Sequence, residues 1–137
     1  MVPFRTVDAT AVALLALSAL VGLALWPSLP NEMAIHFGAS GTPDNFVGKP
    51  LGILLAPAIG IAALAFVRLA SRVDSTADRR VLDVSVLFLG GTVAVAQSFV
   101  LAWNLGFRLD PMVVVVPVLF GALLLTLYAV KRDGLLG

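Results

Sequence analysis

A chain of 137 residues with a formal net charge of +1 and no cysteine leaves no room for disulfides, thiolate chemistry or cysteine-held zinc, and lacks the basic stripe of a nucleic-acid binder. Its 60% hydrophobic and 12% charged residues, with a mean hydropathy of +1.04, also exclude an ordinary soluble domain, in which about 25% of residues are charged. A lipid bilayer is the implied solvent, and the length suits a single membrane domain over residues 1–137 with four helices of about 20 residues each.

The first apolar run, residues 9–27, carries no charge. At the helical rise it is about 28 Å long, close to the roughly 30 Å hydrocarbon layer. A cleaved signal peptide would use Arg5 as its charged start, but the run exceeds the usual apolar core of about 7–15 residues and ends at Trp26 without a small-x-small cleavage site. A polar, turn-rich insert follows at 28–50 and holds the only histidine. Leu29-Pro30 ends the first helix, and Met33, Ile35 and Phe37 alternate with Glu32, Ala34 and His36. The alternation predicts a short extended segment with one apolar face on the membrane surface or bundle top and His36 pointing the other way. Gly38, Gly41 and Pro43-Asp44-Asn45 are turn formers, so the chain is expected to fold back quickly there. Phe46 is expected to re-enter the apolar layer, and Lys49-Pro50 to begin the second helix with a cationic head at the interface.

The second helix, about 51–70, contains Pro57, which implies a kink, and Arg68, whose head group can reach back to the interface. The third, about 76–107, is expected to start from a capping box of Ser75 and Asp78, well before its uncharged stretch at 84–107. The fourth, about 111–131, opens with Asp110-Pro111, an N-cap followed by proline where a missing N–H costs nothing, and Pro117 can bend it. Short links favour antiparallel neighbours. The expected fold is an all-α integral membrane protein, four transmembrane helices in an antiparallel bundle with a structured extracytoplasmic loop after the first.

Helix contacts are foreshadowed by the small-xxx-small pairs Ser18/Gly22 and Ala56/Gly60, which allow close backbone approach in lipid. Gly90, Gln97 and Asn104 recur at a seven-residue spacing and share a face that should turn inward. Gln97 and Asn104 are then either hydrogen-bond glue between helices or the lining of a polar cavity open to the loop. No ionisable group falls mid-span, which argues against a proton or ion pathway.

Orientation follows from the cations. One end of the bundle collects Arg5, Arg68, Arg72, Arg79, Arg80, Lys131 and Arg132, whereas the other has only Lys49 and Arg108. This bias predicts a multi-pass cell-membrane protein with both termini cytoplasmic and residues 28–50 extracytoplasmic. Trp26, Trp103 and Phe107 would anchor one interface and Tyr128 the other.

The order Leu29-Pro30, Ile35-His36-Phe37, Gly41-Thr42-Pro43-Asp44 and Lys49 resembles domain of unknown function 1648, the N-terminal domain of SdpI-like membrane proteins, over roughly residues 12–55. The resemblance implies a polytopic membrane protein and, in the SdpI type, immunity and signalling: protection from a secreted peptide toxin and capture of a repressor at the membrane.

Chemistry at the insert is limited by its residue types. A metal site would have only His36, Asp44, Glu32 and Asp110 to draw on, of which His36 and Asp44 are the weak candidates, so no metal and no cofactor is expected. A hydrolase would need more than His36 with Ser40 and Asp44 at no recognised spacing, and catalysis is not expected. His36 and Asp44 can instead bond each other or the turn backbone and fix the loop as a lid. The lid can in turn be a recognition surface, sensitive to pH near neutrality through the imidazole. Two readings remain open. In the first, an interaction protein embedded in membrane lipid recognises a peptide or a partner membrane protein at its lid, with Arg72, Asp74, Asp78, Arg79 and Arg80 as a second docking face. In the second, a small metal-dependent membrane enzyme or transporter uses the His36/Asp44 loop. Oligomeric state is not set by the sequence.

Overall fold

The computed structural model describes residues 5–74 and 76–134. In chain order it contains α1 (Thr6–Ala24), a 3-10 turn (Trp26–Ser28), β1 (Glu32–Phe37), β2 (Pro43–Gly48), α2 (Lys49–Val73), α3 (Arg79–Asn104) and α4 (Met112–Arg132). All four helices are long and apolar enough to cross a membrane, and the chain is a multi-pass membrane protein. The loop after α1 is a two-stranded hairpin, so the fold is mostly but not purely helical.

Local chemistry sets the helix ends and shifts several from their expected positions. α1 starts at Thr6, ahead of residue 9, because the Asp8 carboxylate accepts from the Arg5 backbone N–H at 3.1 Å. It stops at Ala24, where the chain tightens into the 3-10 turn around Pro27. α3 starts at Arg79, not residue 76, with Asp78 as N-cap accepting from the N–H groups of Arg80 and Val81 at 2.8 and 3.1 Å. Ser75, expected to share that cap, lies outside the described residues. α3 ends at Asn104 rather than 107, and Gly106 turns the chain with φ +107°. α4 begins one residue after Pro111, and the Asp110 carboxylate accepts from Met112 N–H at 2.9 Å.

Ion pairs at one end of the molecule show how the helices run. Arg68 near the end of α2 pairs with Asp8 at the start of α1 and Asp83 at the start of α3, while Arg132 at the end of α4 pairs with Asp78. Each helix therefore runs opposite to the next, and the bundle has a terminal end, holding these charges, and a hairpin end.

Glycine sets the spacing between α1, α2 and α3. A Cβ at Gly22 would come within 2.7 Å of Ile53 Cγ2, one at Gly60 within 2.7 Å of Leu15 Cδ2, and one at Gly90 within 3.1 Å of both Ala11 Cα and Cβ. At Gly22 and Gly60 a neighbour's side chain fills the missing volume; at Gly90 the backbones themselves touch. Ser18, the other half of the first small pair, bonds Leu14 O within its own helix at 2.8 Å instead of crossing to a neighbour. The core between the three helices consists of one cluster towards the hairpin end, Leu29, Met33, Ile53 and Leu101, and another towards the terminal end, Ala11, Leu64 and Val86. α4 lies outside this trio. It packs against α3, and none of its residues is buried. Large apolar side chains such as Leu20, Ile59, Phe66, Leu119 and Phe120 face outward, as a lipid solvent requires.

Candidate functional site

The hairpin end carries most of the residues that the sequence singles out. β1 and β2 pair antiparallel from Glu32 with Gly48 to Phe37 with Pro43, with irregularities on either side of His36. Ile35 has no partner in this register, and the bulge there breaks the simple alternation. Met33 points inward as expected, but Ala34, expected on the opposite face, is also fully buried, and His36 is exposed. The turn is at 38–42, closed by Gly38 N–H to Thr42 O and Gly41 N–H to Gly38 O, both 2.9 Å, with Gly41 at φ +80°. Pro43-Asp44-Asn45, expected in the turn, belongs to β2, with Pro43 as its first residue, where a strand tolerates the missing N–H. Phe46 lies outside the protein core, 53% exposed.

Four sets of contacts hold the hairpin on the helices. Met33 lies over Gly52, where a Cβ would be 2.7 Å from its sulfur, and packs with Leu29, Ile53 and Leu101. Asn104 grips the backbone of Ala34 from both sides: its Oδ1 accepts from Ala34 N–H at 2.9 Å and its Nδ2 donates to Ala34 O at 2.8 Å. Phe37 makes edge contacts with Phe99 and Trp103 at centroid distances of 5.2 and 5.1 Å. Lys49, largely buried, donates from Nζ to Trp26 O at 2.8 Å and lies 5.1 Å from the Trp26 ring centroid, placing a cation on the carbonyl end of α1. Leu29 and Lys49 are thus structural members of the quoted motif, whereas Pro30 is exposed and Ile35 half-buried.

Gln97 is 1% exposed and donates from Nε2 to Gly52 O at 3.0 Å and Ile53 O at 3.2 Å. The second bond has a covalent origin. Pro57 has no N–H to offer the carbonyl four residues back, which is that of Ile53, and in lipid a freed carbonyl needs another donor. Gln97 and Asn104 both bond backbone across elements, in the manner of inter-element glue.

Two other arrangements face solvent. His36 Nδ1 is 2.5 Å from Asp44 Oδ1 across the hairpin, with the two side chains 69% and 52% exposed. Among the described residues no group of three or more His, Cys, Asp or Glu side chains comes together, so Glu32 and Asp110 do not join this pair. Beside it, the turn and the link between α3 and α4 enclose a cleft of about 390 Å³, lined by Ser40, Thr42, Trp103, Arg108 and Asp110 among others. The Arg108 guanidinium carbon lies 3.6 Å from the Trp103 ring centroid, and among the described residues no carboxylate pairs with it. In the sequence Arg108 is marked only by being one of two cations at this end.

At the terminal end, Arg68, expected as an interfacial head group, is held between two carboxylates. Its side chain is 14% exposed, donating to Asp8 at 2.7 Å from Nε and to Asp83 at 3.2 Å, while Arg5 donates to the same Asp83 oxygen at 2.9 Å. Two cations and two carboxylates thereby join α1, α2 and α3 in a charge-balanced cluster. On the adjoining loop, the Arg132 guanidinium, followed by the backbone N–H of Val81, holds the Asp78 carboxyl below its usual range, and the Thr76 hydroxyl and N–H do the same for Asp74. The docking face expected from Arg72, Asp74, Asp78, Arg79 and Arg80 therefore has Asp74 and Asp78 already engaged, the latter to α4.

Residues 13–61 match the family model described as Domain of unknown function (DUF1648). The DUF1648 segment takes in most of α1, the whole hairpin and the first half of α2, and so includes the His36/Asp44 pair, Lys49 and Pro57 but neither Gln97, Asn104 nor Arg108. No curated protein and no solved structure matches the chain.

Proposed function

We propose that the protein is a small SdpI-like immunity or sensing protein that recognises a peptide or partner protein at its hairpin end. The cleft between the hairpin tip and the link from α3 to α4 carries this reading, because it presents a guanidinium over an aromatic ring, with no ion-pair partner among the described residues, beside a hairpin held on the helices. The exposed His36/Asp44 pair adjoins it and offers further polar contacts. Recognition would pass inward through Asn104, Phe37 and Met33, which connect the hairpin to α3 and α2. The protein acts by binding rather than by catalysis. Its termini face the cytoplasm and the hairpin faces outward, in keeping with the seven cations at the terminal end against Lys49 and Arg108 at the other.

The test places a photo-reactive residue at Ser40, at the cleft mouth, in cells that carry the protein in their membrane. A discrete cross-linked peptide or protein that disappears with Arg108→Ala and Trp103→Ala, at unchanged membrane abundance, supports recognition. Cross-linking that is unaffected by both substitutions refutes it. Because the chain has no cysteine, Ser40→Cys and Thr76→Cys also report the orientation with an impermeant maleimide: only the former is expected to label in intact cells.

A further inference from the structure

The terminal half of the α3/α4 contact contains a second cleft, about 320 Å³, lined by Val84, Phe88, Gly121, Leu124, Leu125 and Tyr128. Apart from the Tyr128 hydroxyl these are apolar side chains. The cleft lies within two helices that cross the membrane, so bilayer lipid is the material in contact with its opening. Immediately above it the charge changes sharply. Arg80 is one helical turn before Val84 and two before Phe88, on the same face of α3, and Lys131 is three residues after Tyr128 on α4. The flanking residues hold four cations, Arg79, Arg80, Lys131 and Arg132, against three carboxylates, Asp78, Asp83 and Asp133, a surplus of one positive charge, and Asp83 is engaged by Arg5 and Arg68. Asp78 is already committed to Arg132, at 2.7 Å, and that bridge ties the two helices together over the cleft. Among the described residues no carboxylate pairs with Arg80 or Lys131.

We propose that this cleft binds one anionic phospholipid, with an acyl chain along Phe88, Gly121 and Leu124 and the phosphate held by Arg80 and Lys131. Gly121 is essential to the shape: a Cβ there would come within 2.7 Å of Phe88 Cε2, so any larger residue displaces the ring into the space the chain would use. The surplus charge selects phosphatidylglycerol over a zwitterionic lipid, since each cation near a membrane surface favours an anionic headgroup by a further fraction of the binding energy. The bound lipid would fill the otherwise loosely packed flank of α4, a helix with no buried residue of its own.

Native mass spectrometry of the full chain, released from detergent and titrated separately with phosphatidylglycerol, phosphatidylcholine and inorganic phosphate, tests the site. One retained phosphatidylglycerol per chain is expected, with preference over phosphatidylcholine lowered about fivefold by Arg80→Gln and again by Lys131→Gln. Leu125→Trp, which fills the cleft from the lipid side, should abolish the adduct for both lipids while circular dichroism and the elution volume stay as in the wild type. Equal retention of the two lipids, loss of the adduct to inorganic phosphate alone, or a dimer that Leu125→Trp dissociates would each overturn the proposal, the last by giving the cleft to a second copy of the chain.

Discussion

Replacing Gln97 by leucine removes a donor from two carbonyls while nearly preserving side-chain volume, and the expected cost can be worked from the bond pattern. The Ile53 carbonyl loses its only apparent substitute for the N–H that Pro57 lacks. Leaving a buried acceptor unpaired costs about 1–3 kcal/mol in a water-soluble protein. Cross-helix hydrogen bonds in membranes are worth less, averaging about 0.6 kcal/mol with a maximum near 1.7, because the dissociated helices find other partners in the bilayer. A buried, doubly bonded amide belongs near the upper part of that range, and a loss of about 1–2 kcal/mol is expected. The decisive measurement is a double-mutant cycle with Pro57→Ala, which restores an N–H at position 57 aimed at the Ile53 carbonyl. With that N–H present, Gln97→Leu should cost about 1 kcal/mol less than it does alone. Unfolding in mixed detergent micelles, followed by circular dichroism, supplies the four stabilities. Additivity within about 0.5 kcal/mol would refute the idea that Gln97 compensates for the proline.

Three other outcomes follow from the contacts. Arg68→Met leaves the buried Asp8 carboxylate without a cation, while Asp83 keeps Arg5, and should destabilise the bundle by about 3 kcal/mol in the same micelle assay; adding Asp8→Asn should recover most of the loss. Asn104→Leu removes both bonds to Ala34 and should make the 38–42 turn a faster site of limited proteolysis while the helices keep their circular dichroism. The Asp78 carboxyl is held low by Arg132, so the bridge contributes at any pH above the ordinary carboxylate range and is lost as the pH falls through the lowered folded-state value, below about pH 4. The thermal midpoint of the wild type should therefore exceed that of Asp78→Asn at pH 7, with the gap narrowing as the pH falls below the ordinary carboxylate range; a gap that does not change with pH would rule out a contribution from the carboxylate's charge.

The membrane architecture was legible because it depends on a property carried by every residue in a run. Four apolar stretches leave few alternatives, and the Asp78 cap is a local signal that needs no knowledge of the tertiary fold, whereas α4 takes Pro111 rather than Asp110 as its N-cap. The hairpin was half legible. Alternation at Met33, Ile35 and Phe37 indicated an extended segment, but the unpaired Ile35 shifts the register in a way that only the partner strand reveals, and Pro43-Asp44-Asn45 has turn-forming residues in a place where the chain has already turned. The charge cluster was hidden by distance along the chain. Arg68 looks like an interfacial cation until α1 and α3 bring Asp8 and Asp83 to it from 60 residues before and 15 after. Pro57 and Gln97 were each noticed, one as a kink and one as a buried amide, yet their relation exists only once α2 and α3 are side by side. At the candidate site, His36 and Asp44 were visible as a pair of residue types, whereas the Arg108–Trp103 stack comes from outside the insert and has no spacing that marks it.

The grip of Asn104 on Ala34 also bears on how this hairpin avoids unwanted association. An isolated two-stranded sheet has two open edges, each a template for pairing with another extended chain. Because one side-chain amide occupies both the N–H and the C=O of Ala34, α3 stands in there for a third strand and closes the β1 edge in the middle of its length. Among the described residues no side chain occupies the β2 edge in this way, and Asp44 and Asn45 are its polar residues. An extended peptide adding to this sheet would find its uninterrupted edge on that side.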